Sequence, residues 1–430
     1  MPALLSLCMI VKNEAENLPR CLASVRGVVD EIIVVDTGST DATPQIAAAA
    51  GARVLTQAWR DDFAEARNIS LAAASGEWIL VLDADEALTP ESQAALRPAL
   101  RTVGADGLWV TVLNLAAAND LVAAYPTPIL RLFRNRPGYR YAGRLHEQLT
   151  PALQRQGGRL EFSDLTVLHY GYQAAHVQTG DQRSRRNIAL LEQAAQAAPH
   201  DAYLAAKLGC AYFYAGQAAP ARQQLLRFFE AGALPDLHPT VGQEAHLAFA
   251  TLASVADELE AAAAHGAAAL VADGNPALNL KARLVLAMTR LRQGQRLFEA
   301  APEGAPELQR AWGCLAQALQ QLEILQAQPA LQPAAQAEVA GWLTTTRVFQ
   351  LTVAAALQTA SVALLQRLLA ADDLPAALDA HQPDFTPWLV DVIRAEVQAA
   401  RAHSQTDLAD GLESLAAHIA ARLPETQPAA

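Results

Sequence analysis

The sequence predicts an α/β domain followed by an all-α region, and three observations carry that prediction. Short β-branched apolar runs alternate with helical segments through the N-terminal part of the chain. Each run ends in a polar or acidic turn, and from about Asp181 onward Ala, Leu and Gln dominate while strand signals fade. Continuous apolar strands alternating with helices argue for a parallel sheet covered on both faces, with ligands gathered beyond the strands' C-terminal ends.

Taken in order, residues 4–11 read as a first strand, followed by the polar loop Lys12-Asn13-Glu14 and an amphipathic helix carrying Leu18, Cys21, Leu22 and Val25. Residues 31–35 are a second β-branched run, ending in Asp36-Thr37-Gly38-Ser39-Thr40-Asp41. A helix over 42–50 follows, with Asp41 placed to cap it. Residues 53–56 form a short third strand, 61–74 a helix, and 77–82 a fourth strand.

That fourth strand discharges directly into Asp83-Ala84-Asp85-Glu86. In an extended chain, side chains at i and i+2 point to the same side, so Asp83 and Asp85 can face one ligand while Ala84 faces away. The spacing suits one carboxylate on a ribose and the other on a metal bridging a diphosphate. Mg²⁺ or Mn²⁺ prefers few carboxylates plus phosphate oxygens and water, which so sparse an acidic motif can offer. Asp-x-Asp by itself also marks solvated strand-to-loop corners.

Four blocks together resemble a known family. Cys8-Met9-Ile10-Val11-Lys12-Asn13-Glu14, Asp30 through Asp41, Trp59 with Asp62-Phe63-Ala64-Glu65-Ala66-Arg67-Asn68, and Leu82 through Glu86 look like family-two glycosyltransferases. The likeness is to the bacterial branch that includes lipopolysaccharide-core sugar transferases and peptide glycosyltransferases with helical-repeat tails. The resemblance implies a GT-A (nucleotide-diphospho-sugar transferase) fold with a Rossmann-like mixed sheet. It also implies a nucleotide-sugar donor, usually a UDP-sugar such as UDP-hexose, a divalent metal, and inversion at the anomeric carbon.

Carried over position by position, it places Asn13 and Glu14 beside the nucleoside and Asp36 on the uracil side of the donor. Thr37 stands where many members have a second acid. Arg67 and Asn68 match the segment that approaches the diphosphate, and a guanidinium suits phosphate because its planar fork binds two oxygens at once. Asp83 would hold the ribose and Asp85 the metal. The residues also admit plainer readings, in which Asp36 is a turn acid and Arg67 a surface charge.

Beyond residue 105 the pattern turns to strand-like segments at 107–113 and 127–133 and a turn around Pro137-Gly138-Tyr139, the acceptor half on this resemblance. Two further stretches look like motifs of the same branch, Gly143-Arg144-Leu145-His146-Glu147-Gln148-Leu149 and Leu168-His169-Tyr170-Gly171-Tyr172. Inverting transfer requires a base to take the acceptor's proton, and a carboxylate in hydrogen-bond reach can do it. Glu147 is the candidate, alongside Asp85 as the other catalytic residue. His169 is the candidate second metal ligand with His146 the alternative, and the roles are open to exchange.

The helical part opens with segments at 183–198 and 201–215. If Pro199 closes one tetratricopeptide unit, Leu208, Gly209, Tyr212 and Ala221 fall where that repeat wants Leu, Gly, Tyr and Ala. Later helices at 244–267, 278–293, 311–326 and 335–360 follow no clean repeat, so the array reads as degenerate and TPR-like. Its expected roles are an acceptor-binding or dimerising surface, or completion of the catalytic domain. Arg183, Arg185 and Arg186 form a basic cluster at the junction, read chiefly as a solvated first helical turn. Pro-containing stretches at 301–306 and 329–333 read as loops, and the tail after Pro424 as frayed. The expected division is therefore 1–180, made of a donor half 1–104 and an acceptor half 105–180, and 181–425.

Bulk properties agree. With 430 residues of which 52% are hydrophobic, the chain can bury real cores. A net charge of −12 argues against nucleic acid as partner. Cys8, Cys21, Cys210 and Cys314 lack metal-type spacing, and Cys8 and Cys21 read as buried thiols of a reducing compartment. No basic region precedes the first apolar run, and no apolar run of membrane-spanning length is read. The expectation is a cytoplasmic glycosyltransferase acting on a glycan, peptide or protein, with peripheral membrane association allowed. Two alternatives stand beside it. A sugar nucleotidyltransferase would carry a Gly-rich, Arg-containing first loop with a catalytic Lys, unlike Lys12-Asn13-Glu14, and a non-catalytic TPR-type adaptor would not be expected to keep Asp36, Arg67, Asp83 and Asp85.

Overall fold

The computed structural model describes residues 3–115, 124–145, 147–171, 180–232, 239–272, 274–300 and 305–423. Eight strands form one sheet: β1 (Leu5–Val11), β2 (Glu31–Asp36), β3 (Arg53–Thr56), β4 (Trp78–Val81), β5 (Glu86–Leu88), β6 (Gly107–Leu115), β7 (Ala124–Arg134) and β8 (Leu160–His169). Their spatial order is β3-β2-β1-β4-β7-β6-β8-β5. The first four are mutually parallel, whereas β7 runs antiparallel to β4 and to β6, β8 runs parallel to β6, and β5 antiparallel to β8. The α/β architecture with a mixed sheet is as expected, and the helices follow it.

Helices α1 (Leu18–Ser24), α2 (Thr43–Ala49), α3 (Phe63–Ala73), α4 (Pro90–Thr102) and α5 (Thr150–Arg155) belong to this part of the chain. Because strand side chains alternate faces, β1 feeds two cores. Leu5, Leu7, Met9 and Val11 pack with Leu18, Leu22, Val34, Trp78 and Leu80, while Cys8 packs with Ile33, Ile79, Val81 and Phe133. Fully burying a side chain such as Leu7 or Ile33 contributes about 1.5–3 kcal/mol, so burial on both faces fixes the strand's register. The one polar residue inside β1, Ser6, donates to Glu31, whose carboxylate also accepts from Ser75 and Gly76. That knot ties the starts of β1, β2 and β4 together.

α4, α5, β5 and β8 were not legible as elements in the sequence. β5 has only three residues, α4 carries Pro98, and β8 passes through Ser163-Asp164 with Phe162 left 78% exposed, which masks its alternation. β7 extends through Pro126 and Pro128. Only its last residues, Leu132 to Arg134, pair with β4, so the prolines lie where the other edge of β7 has no ladder to β4.

The helical part comprises α6 (Gly180–Ala197), α7 (Ala202–Tyr214), α8 (Ala218–Glu230), α9 (Pro239–Val255), α10 (Leu259–Ala268), α11 (Pro276–Ala300), α12 (Ala305–Gln326), α13 (Pro333–Leu369), α14 (Leu374–Ala380), α15 (Pro387–Ala402) and α16 (Thr406–Ala420). The chain divides into two compact units, Met1–Ala248 with Val271–Asn279, and Phe249–Leu270 with Leu280–Ala430. Strands give way to helices near residue 180, and α6 to α8 belong to the first unit.

The predicted repeat signature has a packing basis. A Cβ on Gly209 would lie 2.8 Å from Leu225 Cγ, so α7 and α8 close on each other only because residue 209 has no side chain. Leu208 and Ala221 are buried and Tyr212 Oη donates to Glu192 Oε1 at 2.5 Å, linking α7 to α6. The single helix expected over 244–267 is two. Asp257 takes a left-handed backbone (φ 67°) and Glu258 N donates back to Ala253 O, which ends α9 before α10 begins. Pro306 lies in the first turn of α12 rather than in a loop.

The expectation of no apolar stretch of spanning length is corrected. By length and composition α13 could cross a bilayer: it has 37 residues and an 18-residue window of mean hydropathy 1.7, 28% of it buried. The sequence concealed this because threonines interrupt the run, but Thr344, Thr352 and Thr359 each donate to the carbonyl four residues back, which hides their polarity. Cys8, Cys21 and Cys210 are buried free thiols and Cys314 is half-buried and free.

Candidate active site

The C-terminal ends of β1, β2 and β4 bring three loops together. Asn13 turns the first loop with a left-handed backbone (φ 55°); its N–H donates to Ser39 Oγ at 2.9 Å and its Oδ1 accepts from Thr40 N at 2.7 Å. Glu14 N donates to Thr43 Oγ1 at 2.7 Å, and Glu14 Oε2 accepts from Asn17 Nδ2. Asp36 ends β2 with its carboxylate accepting from Gly38 N and Ser39 N, a local turn that Gly38 allows at φ 100°. Thr37, in place of a second acid, donates its hydroxyl to Val11 O at 3.1 Å and closes the gap between β1 and β2. Asp41 does not occupy the cap of α2, which is Ala42. It accepts instead from Thr43 N and Ala15 N, so it joins the first loop to the helix start.

Asp83 and Asp85 take different partners, which the i, i+2 spacing alone does not reveal. The strand ends at Val81 and the chain turns, with Glu86 N donating to Asp83 O at 3.0 Å. Asp83 accepts from Arg67 Nη2 at 2.9 Å and from Arg131 Nη2 at 2.8 Å. Burial alone would raise Asp83, but Arg131 and Arg67 outweigh it and hold the carboxyl far below the usual range. Arg67, on α3, also donates from Nε to Glu147 Oε1 at 2.5 Å. Burial works against its charge, yet Asp83 and Glu147 keep the guanidinium firmly protonated. Its Nη1 is buried with no hydrogen-bond partner among the described residues. Arg131 also pairs with Glu86, which burial pushes up despite that guanidinium. Two cations thus meet three carboxylates in one buried cluster roofed by Tyr141, whose hydroxyl burial pushes up to about 12.

Asn68, expected at the diphosphate, is committed elsewhere. Its Nδ2 donates to Tyr141 O at 3.0 Å and its Oδ1 accepts from Tyr141 N at 2.9 Å, pinning the segment that leads to Glu147.

Asp85 faces His169, with Oδ2 3.4 Å from Nε2. The sheet register makes this meeting, since His169 ends β8 opposite both Asn114 of β6 and Glu86 of β5. Asn114 Nδ2 donates to Val112 O and Thr127 Oγ1, which turns its Oδ1 toward His169 Nδ1 at 2.8 Å. Nδ1 must then carry the proton, leaving Nε2 as the ring nitrogen aimed at Asp85. Burial would lower His169, but Asp85 raises it above an ordinary histidine. A Cβ on Gly171 would stand 2.6 Å from Asp85 Oδ2 and 2.6 Å from His169 Nε2. The Gly171 backbone therefore runs hard against an oxygen and a nitrogen that lie 3.4 Å apart, a donor pair that fits a divalent cation. Among the described residues no group of three or more His, Cys, Asp or Glu could hold one, so a cation here would draw its remaining ligands from phosphate and water. His146 lies outside the described residues.

Arg131 and Asn114 were missed by sequence reasoning, while Glu86 and Gly171 stood inside the quoted motifs without a role. Arg131 had a signal: a charge inside Ile129-Leu130-Arg131-Leu132-Phe133 must be paired if the strand is buried. Asn114, at the end of a similar run, carried a weaker version of it.

The family model Glycosyl transferase family 2 matches residues 6–151. Those residues form a family-two glycosyltransferase domain. The chain is similar to a TPR repeat-containing protein of Synechococcus elongatus, 45% identical over 48% of this chain and 52% of that protein. The SPbeta prophage-derived glycosyltransferase SunS of Bacillus subtilis is 28% identical over 45% of this chain and 45% of its own length. The chain thus spans about half the length of these two curated relatives. Among solved structures, S. aureus TarS 1-349 in complex with UDP-GlcNAc is 14% identical, with a TM-score of 0.35 over 60% of this chain and 89% of that one.

Proposed function

We propose that this chain is a metal-dependent, inverting glycosyltransferase of the cytoplasm that moves a hexose from a UDP-sugar to a glycan or polypeptide acceptor. The observation that carries the reading is the facing pair Asp85 Oδ2 and His169 Nε2, 3.4 Å apart beyond the strand ends, where open α/β sheets bind their ligands. Asp85 and His169 would hold Mn²⁺ or Mg²⁺, which when bound neutralises charge on the leaving diphosphate.

Arg67, which holds Asp83, is poised to share that task. Its Nη1 is a donor with no acceptor among the described residues, and a phosphate oxygen would supply one. Glu147 is the group to take the acceptor's proton as its oxygen or sulfur attacks the anomeric carbon. The bond to the diphosphate oxygen breaks on the opposite side, so configuration inverts. Glu147 is anchored by Arg67, so donor binding and base are wired to one guanidinium. The TPR-named relative supports a protein-interaction role for the helices, which would hold the acceptor or a second copy of the chain.

The test is a thermal-shift panel of nucleotide-sugars, followed by donor hydrolysis, each with Mn²⁺ and with EDTA. One UDP-sugar should stabilise the protein and be hydrolysed only with metal. Pyrophosphate release from a nucleoside triphosphate would replace this reading with nucleotidyl transfer, and no response to any nucleotide-sugar would leave the adaptor reading.

A further inference from the structure

Arg131 stands outside every role considered so far, yet it is among the most enclosed charges in the protein. It leaves β7 where the pairing Ile79↔Phe133 and Leu80↔Leu132 brings it level with the end of β4, the strand that delivers Asp83. Its side chain is 9% exposed, and Nη2 is shared between Asp83 Oδ2 at 2.8 Å and Glu86 Oε1. Glu86 Oε2 in turn accepts the Asp83 backbone N–H at 2.9 Å. Residue 83 is therefore gripped twice, at its backbone by Glu86 and at its carboxylate by Arg131.

Stability is a poor reason for this arrangement. A buried guanidinium–carboxylate pair is often no better than packed aliphatic side chains of similar volume, and here Arg131 Nε is buried without a partner among the described residues. What the grip does achieve is direction. It holds the Asp83 carboxylate in one orientation, Asp85 being left to His169, while 37% of the Asp83 side chain stays exposed. An acceptor with fixed orientation and an open edge is what recognition of paired hydroxyls requires.

We propose, on the glycosyltransferase reading of this site, that Arg131 is a positioning residue. It fixes the Asp83 carboxylate to accept the ribose hydroxyls of the nucleotide donor. Arg67 cannot replace it, because Arg67 binds the other carboxylate oxygen and is drawn toward Glu147.

The test compares calorimetric binding of UDP and of 2′,3′-dideoxy-UDP, both with Mn²⁺, to wild type, Arg131→Lys and the double variant Arg131→Gln/Glu86→Gln. The double variant removes the buried charge pair together, so no lone buried charge remains to unfold the site. UDP should weaken by roughly 10- to 100-fold in a folded variant, the worth of a charged hydrogen bond. The dideoxy compound should bind wild type and variants within about twofold of each other. Equal losses for both ligands, no loss for either, or two variants that fail to fold would make Arg131 a structural residue and overturn the proposal. Wild type that binds neither ligand would instead bring down the transferase reading, and this inference with it.

Discussion

Asp85 Oδ2 and His169 Nε2 lie 3.4 Å apart, and the Cβ that Gly171 lacks would stand 2.6 Å from both. Two residues far apart in sequence thus face each other, and a third packs so close to both that it has no room for a side chain. Gly171→Ala should force the two side chains off this geometry while leaving the fold intact, and Asp85→Asn should remove the carboxylate charge. Each is expected to cost a factor of about 10² to 10³ in turnover, the usual worth of one stabiliser of developing charge. Thermal midpoints unchanged beside rates measured at saturating Mn²⁺ check this, and undiminished turnover in Asp85→Asn would remove Asp85 from the mechanism.

Asn114 controls which nitrogen of His169 is offered. Asn114→Leu removes the Nδ1 acceptor, so the ring can carry its proton on Nε2 instead. Metal affinity in the presence of UDP should fall about 10- to 100-fold, followed by Mn²⁺ electron paramagnetic resonance. An unaltered titration would show that His169 is oriented by something else.

Glu147→Gln separates base from donor site. Transfer to acceptor should drop by about 10² to 10⁴, the range for general-base catalysis, while UDP binding changes little because Arg67 keeps Asp83. Steady-state transfer assays alongside calorimetry distinguish this from a loss of donor binding.

Glu31 gives a pH signature away from the site. Burial alone would raise its pKa, but hydrogen bonds from Ser6, Ser75 and Gly76 reverse this and lower it below an ordinary glutamate. A depressed folded pKa contributes stability that is fully present above the unfolded value and is lost as pH falls through the folded one. Wild type should therefore melt higher than Glu31→Gln at neutral pH, with the gap narrowing as the solution is acidified. A gap that is constant from pH 7 to pH 3, on a scale of about a few degrees, would assign the difference to packing.

Much of the fold was legible because strong local patterns coincide with burial. β1 to β4 are continuous apolar runs buried on both faces, and their helices carry regular apolar spacing. β5 and β8 were not legible, since a three-residue strand has no period and β8 leaves Phe162 in solvent. In the site, Asp85 and His169, expected to share a metal, do face each other, whereas the ties of Asp83 to Arg131 and of Glu147 to Arg67 had no local signal.

The sequence by itself determined the α/β-then-helical order, the acidic turns at the strand ends and the identity of the charged candidates, because these rest on side-chain periodicity within a few residues. Only the tertiary structure decided which charges meet. β7, antiparallel to β4, brings Arg131 to its end, β8 brings His169 level with Asn114 of β6 and Glu86 of β5, and contacts between residues so distant in the chain leave no local pattern to read.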